Sequence, residues 1–457
     1  MKRLLLFFIS LTLSSCSLDN KTGIWKDISN TPVVNQSTKS IPSNKLEVRY
    51  ENSIKKNKIF NEEKEPTNFS SIEIRPPIKI TRWSEQYTVP SNNISNFSYR
   101  DNKILLSKSS KLRKTTSSGN YSNKKIIFYK NNLISYDHNG TIFIYSLSSN
   151  KKIFEYNFYK KKFKNFNKKI SLIVNENFLY VADNLGYLYA LNLDDKSIIW
   201  AKNYGIPFRS NIKIDNNQLF LANQDNVIYS INSNTGDLNW QFATTLTVLK
   251  SDFENNFALD LVSNNLFFLN TSGELYSINY LTQKINWVLN FKKTTLAGDT
   301  ALFFSQPLVI KNKNLLVVTE KAVISYDTLT SARNWIFSAE PASKPIITSD
   351  NTYIILKNNL LICLDNISGN VVWSKNIFKN TKDKKIIKKF NSVIDFKIVN
   401  SKINIYSSKG YLLSFNSSNG NLSQQSNISK NGISSKIVFL DNNMLFIDNS
   451  NKLLKFN

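Results

Sequence analysis

Two cysteines, Cys16 and Cys363, and one histidine, His138, are all that this chain offers for thiol or imidazole chemistry. With the cysteines far apart and a single histidine, there is almost no material for a zinc site or a nucleophile–histidine pair. The aspartates are numerous, but they recur at turn positions of a repeat, where a structural role is expected, and no carboxylate pair stands out as an acid and base. The residues whose spacing is most regular are tryptophans, and a regularly spaced indole is a packing device. The chain therefore reads as one that positions partners and carries out no reaction. No cofactor and no small-molecule substrate are expected.

The N-terminus reads as an address. Lys2 and Arg3 precede an apolar run from Leu4 to Leu13, too short to cross a bilayer as a helix but suited to a signal peptide. It ends in LSSC, residues 13–16, which resembles the lipobox of bacterial lipoproteins. The resemblance implies that Cys16 becomes the first mature residue and carries acyl chains that anchor stably. Ser17, in place of an aspartate, points by the same resemblance to the periplasmic face of the outer membrane. No later stretch reaches the roughly 18 consecutive apolar residues of a membrane helix. Residues 17 to about 77 are rich in Ser, Asn, Lys and Glu and lack periodicity, so 16–77 is expected to be a lipidated cysteine on a flexible tether.

From about residue 78 the chain repeats. In GYLYALNLDDKSIIW, residues 186–200, Gly is followed by apolar residues at +2, +3 and +5, Asn at +6 and Trp at +14. Related units begin at 140, 186, 226, 273, 321, 359, 410 and 451, at intervals of 38 to 51 residues. Periods of about 40–50 residues holding four short strands are propeller blades. The expectation is an all-β, eight-bladed propeller of four-stranded antiparallel blades over 78–457, following a leader over 1–15. Asn or Asp at +6 suits a side chain that bonds the backbone two residues on. Gly236, Gly369 and Gly420 at +10 suit a left-handed bulge, whereas Lys196, Gln283 and Ser331 match that position less well. Trp200, Trp240, Trp287, Trp335 and Trp373 occupy +14, Phe154 does so in the first repeat and Gln424 in the seventh. The eighth repeat lacks its last strand. The stretch 80–89, which carries Trp83, is expected to supply it and so seal the ring.

These residues resemble the PQQ-like propeller repeat, with Thr235–Gly236 as its TG pair. Quinoprotein dehydrogenases and BamB-type lipoproteins of the outer-membrane β-barrel assembly machinery share that repeat. The second resemblance is closer: a lipoprotein of comparable length, eight blades, a Trp-bearing closing strand, a seventh repeat without Trp, and a finish just after the last inner motif. The long tether and the many Lys and Asn residues depart from it. It implies a non-catalytic scaffold that binds the barrel-forming subunit through a connector following Trp240, with Leu246, Val248, Leu249 and Lys250 as the implied contacts. Two alternatives stay open: a periplasmic PQQ-dependent quinoprotein-like enzyme, which the first resemblance implies, and an envelope- or polysaccharide-binding propeller lipoprotein. The quinoprotein sites have adjacent cysteines, and this sequence has no such pair.

The net charge is +26, which attracts anions. Lys, Asn and Ile are enriched together, as in an A- and T-rich genome, and an exported chain is not expected to meet nucleic acid. The basic connectors 160–169 and 379–389 read either as solvated loops or as surfaces for acidic partners and membrane phosphates.

Overall fold

A computed structural model describes residues 48–50, 58–66, 72–112, 125–159, 163, 166–245, 256–292, 303–379, 387, 390 and 392–457. Eight sheets follow one another along the chain, and their first strands stand next to one another around a central axis. Blades one to seven span 127–157, 170–203, 213–243, 257–290, 309–338, 346–376 and 393–427. Blade eight combines strands within 438–456 with Leu105–Lys108.

The burial pattern follows from wedging each sheet between two others. Leu360–Asp365, a third strand, is buried on both faces along most of its length, which its unbroken LLICL run permits. Leu238–Ala243, an outer strand, alternates buried and accessible residues, as one-sided packing requires.

The turn residues act as their positions predict. Asn232 Oδ1 accepts from the backbone N–H of Asn234 at 2.8 Å, and Asp365 Oδ1 accepts from Ile367 N at 3.1 Å. At +10, Gly236, Gly369 and Gly420 take φ of 71–72°. Lys196, Gln283 and Ser331 take φ of 55–63° at the same place. The bulge between third and fourth strands imposes the left-handed conformation whatever the side chain.

Each interblade indole covers the next blade. A Cβ on Gly369 would lie 2.7 Å from Trp335, and one on Gly420 would lie 2.5 Å from Trp373. Trp200, Trp287, Trp335 and Trp373 donate their Nε1–H to the carbonyls of Ser233, Thr328, Asn366 and Ser417, at 2.8–3.2 Å. A single side chain thus fills a gap and ties down a turn.

Two expectations are corrected. The ring is sealed by Leu105–Lys108, which pairs antiparallel with Leu453–Phe456, and the stretch around Trp83 lies elsewhere. Ile104, Leu105 and Leu106 remain about half exposed, because an outermost strand needs edge hydrogen bonds and only one-sided packing. Parts of the stretch read as a flexible tether are also laid on the propeller. Val48–Tyr50 adds a parallel strand to the outer edge of blade four. Phe60 N donates to Ser338 O of blade five at 3.0 Å, and its ring meets Phe337. Lys64 bridges Ser374 of blade six, where Glu63 and Glu65 pair with Lys379 and Lys375. Unpaired outer edges offer backbone groups to any extended segment, and this chain supplies its own.

Candidate binding site at the channel mouth

The first strand of every blade is an edge strand whose free side faces the axis. Eight rows of unpaired backbone groups there need partners. Residues 78–98 supply them as one closed loop. Its ends are joined where Ile78 N donates to Asn96 O and Ser98 N donates to Ile78 O, both at 3.0 Å.

Between these ends the loop visits every blade in order. The carbonyls of Ile80, Trp83 and Ser84 accept from Asp441 N of blade eight, Phe128 N of blade one and Val174 N of blade two, at 2.8–2.9 Å. Glu85 pairs with Lys213 of blade three, whose Nζ also donates to Asn92 Oδ1 at 2.6 Å. Pro90 O and Ser91 O accept from Leu259 N of blade four and Ile310 N of blade five, both at 3.0 Å. Asn93 exchanges two hydrogen bonds with the Ile347 backbone of blade six. Phe97 N donates to Ile398 O of blade seven at 2.9 Å.

Trp83 is therefore a channel residue. It is 2% exposed, stacks on Phe97 with ring centroids 5.9 Å apart, and has Lys397 Nζ 5.6 Å from its centroid. Thr88, at the tip, is held at φ 74°, a conformation costly for a β-branched residue that the bonds on either side impose.

The loop leaves a cavity of about 140 Å³ at the end of the channel that carries the connectors between blades. Lys344, Lys397 and Lys436 line it, from blades six, seven and eight, with Asp395 as the one carboxylate in the lining. Lys344 Nζ donates to Asn92 O at 2.8 Å and to Pro345 O at 3.2 Å. Lys397 Nζ lies 3.2 Å from Asp395 Oδ2 and Lys436 Nζ 4.0 Å from Oδ1. Asp395 also accepts from Ile437 N at 2.8 Å and Phe396 N at 3.0 Å.

Burial opposes charge on all of these groups. It pushes Lys344 down to about 7, helped by the positive charges of Lys397, Lys436 and Lys213 and opposed by Asp395. Burial likewise lowers Lys397, with Asp395 working against it. Asp395 stays below the usual carboxylate range, since Lys397, Lys436 and the two N–H groups outweigh its burial.

The residues implied as partner contacts, Leu246, Val248, Leu249 and Lys250, lie outside the described residues, as does Cys16. The connector bearing the former is anchored at its base. Thr244 Oγ1 donates to Asn226 O at 2.8 Å and Thr245 Oγ1 to Glu274 Oε1 at 2.6 Å. Of the basic connectors, Lys168 is buried, with its Nζ donating to Phe166 O at 2.7 Å, and Lys379 pairs with Glu63. Most of 380–389 lies outside the described residues. Trp200, Trp240, Trp287, Trp335 and Trp373 are buried between blades. Cys363 is fully buried, which pushes its thiol up and away from reactivity. His138 sits in a turn, its carbonyl accepting from Lys168 N. Sequence reasoning missed the channel loop and its lysines. One signal was present: Lys213 begins the inner strand of blade three, and Lys344 and Lys436 each stand two residues before an inner strand.

A family model described as outer membrane protein assembly factor BamB matches residues 134–375. Outer membrane protein assembly factor BamB of Legionella pneumophila (strain Paris) is 33% identical over 69 residues, a match spanning 15% of this chain and 17% of that protein. The crystal structure of BamB from Moraxella catarrhalis superposes with a TM-score of 0.60 at 12% identity, over 78% of this chain and 99% of the other. A quinohemoprotein alcohol dehydrogenase from Comamonas testosteroni gives 0.59 at 9% identity, over 82% and 80%. At such identities the structural likenesses bear on the fold alone.

Proposed function

The chain belongs to the family described as outer membrane protein assembly factor BamB, and from that premise we propose that it is a non-catalytic scaffold lipoprotein of the outer-membrane β-barrel assembly machinery. Acyl chains on Cys16 hold it to the periplasmic face of the outer membrane. The propeller presents its connectors, foremost the one bearing Leu246, Val248, Leu249 and Lys250, to the barrel-forming subunit and so aids insertion of outer-membrane proteins. The observation that carries this reading is the channel loop. Hydrogen bonds and an ion pair tie 78–98 to all eight blades, at the inner strand in seven and at the turn that follows it in blade eight, which supports a rigid ring whose working surfaces are its rim loops. Rigid presentation limits the ordering cost of association.

The test is recovery of the lipidated full-length protein from detergent-solubilised membranes. A large outer-membrane β-barrel protein should co-purify. Asp substitutions at Leu246 and Leu249 should abolish that recovery without changing the melting temperature. Co-purification with another envelope component in place of a barrel would overturn the scaffold role. A stoichiometric absorption change on adding pyrroloquinoline quinone and calcium would favour the quinoprotein-like alternative.

A further inference from the structure

We propose that the cavity at the channel mouth is a binding site for a phosphate-class oxyanion, held by Lys344, Lys397 and Lys436. Three ammonium groups converge there from three consecutive blades, and Asp395 is the one carboxylate in the lining. Lys397 and Lys436 already share it, one at each oxygen. Lys344 is bonded to two neutral carbonyls and has no carboxylate within ion-pair distance among the described residues. The next acidic group inward, Glu85, is taken by Lys213. Like charges confined together in a poorly solvated site repel strongly, and a counter-anion relieves that repulsion. Burial first, and then the positive charges of Lys397, Lys436 and Lys213, depress Lys344 toward neutrality, and the second of these causes is the repulsion that an anion relieves.

The chemistry of the donors selects the anion. Each ammonium has three N–H donors, and the bonds made to carbonyls and to Asp395 leave capacity for more. No arginine fork is present in the lining to favour a planar carboxylate, whereas lysines acting as point charges suit a tetrahedral anion with several equivalent oxygens. At about 140 Å³ the cavity exceeds the room for one water many times over. It accommodates a phosphate group together with some of its hydration. The rings of Trp83 and Phe97 line the same cavity and lower the local polarity, which strengthens charge-assisted bonds.

This proposal stands apart from the scaffold role and is tested separately. The full-length chain is titrated calorimetrically with inorganic phosphate, with glycerol 3-phosphate and with chloride at matched ionic strength. Saturable one-site binding of phosphate, with chloride inert, is expected. If glycerol 3-phosphate binds as well, the site takes phosphomonoesters, lipid headgroups among them; if inorganic phosphate alone binds, it takes the free ion. Lys344→Met and Lys436→Met should each weaken binding by about tenfold or more. Without phosphate, their melting temperatures should equal or exceed that of the parent, because each removes a repelling charge. Lys379→Met, on the outer rim, should bind phosphate as the parent does. Phosphate no better bound than chloride, or unchanged binding in both channel variants, overturns the proposal.

Discussion

Replacing Glu85 with alanine tests the channel loop most directly. Lys213 is fully buried, and Glu85 is its one carboxylate partner among the described residues. Removing one member of such a pair costs about 3–5 kcal/mol, because the other charge stays buried. The loss also has a ceiling, since Lys213 escapes by losing its proton. From an ordinary value of 10.5, which burial already lowers in the parent, doing so at pH 7 costs at most about 5 kcal/mol at 1.36 kcal/mol per unit. The expected loss at pH 7 is therefore about 3–5 kcal/mol. It should shrink as pH rises, because burial already lowers Lys213 from 10.5 in the parent, so the parent's own ion pair loses its positive charge before that pH is reached and the variant then has less to lose. Lys213→Met in the same chain should restore most of the stability, with a coupling energy of about 2 kcal/mol or more. Guanidinium unfolding followed by tryptophan fluorescence at pH 7 and pH 9.5 reads all four proteins, compared at unchanged slope. A loss below about 1 kcal/mol, the value of an exposed pair, with simple additivity of the two substitutions, would refute the placement of 78–98 in the channel.

Three further outcomes are expected. Gly369→Ala should lower stability by about 2–5 kcal/mol in chemical denaturation, since φ of 71° costs an alanine about 1–2 kcal/mol and its methyl meets Trp335 at 2.7 Å, an overpacking cost of about 1–3 kcal/mol. Gln424→Phe should raise the melting point, by about 0.5–2 kcal/mol of stability, because Gln424 lines a cavity of about 160 Å³ between blades seven and eight and blade one uses Phe154 at the same repeat position. Asp183→Asn should flatten the pH dependence of melting between about pH 4 and 6. Burial raises Asp183 to about 6 from 3.8, against the pull of the Tyr159 hydroxyl and three backbone N–H groups. A carboxyl raised on folding stabilises most below its unfolded value, and that contribution fades as pH climbs through 6. The variant should thus gain up to about 3 kcal/mol at pH 7, and Asn223 already serves the same turn position in blade three, accepting from Asp225 N and Val227 N.

The blades themselves were legible because their signals are local. A third strand such as LLICL at 360–364, an Asn or Asp that bonds two residues on, and an indole at +14 each act within a few residues or against the adjacent repeat. Periodicity therefore reveals the number of blades, their turns and the tryptophans between them. Trp83 shows where that logic stops. Its indole resembles the others in sequence, but a buried aromatic slot is filled as well in the channel as between blades, and nothing local distinguishes the two. The seal at 104–109 carries no tryptophan to mark it, since an outermost strand is held by edge hydrogen bonds that any extended residues make.

Sequence by itself determined the repeat and hence the ring. Tertiary structure decided what fills the axis, which stretch closes the circle, and how 48–50 and 58–66 lie along blades four to six. It also decided that Lys344, Lys397 and Lys436, at most 92 residues apart in the chain, share one cavity. The reason is physical: eight inner edges present unpaired backbone groups only after the ring has closed, so the partner that satisfies them is selected by long-range geometry that no window of residues contains.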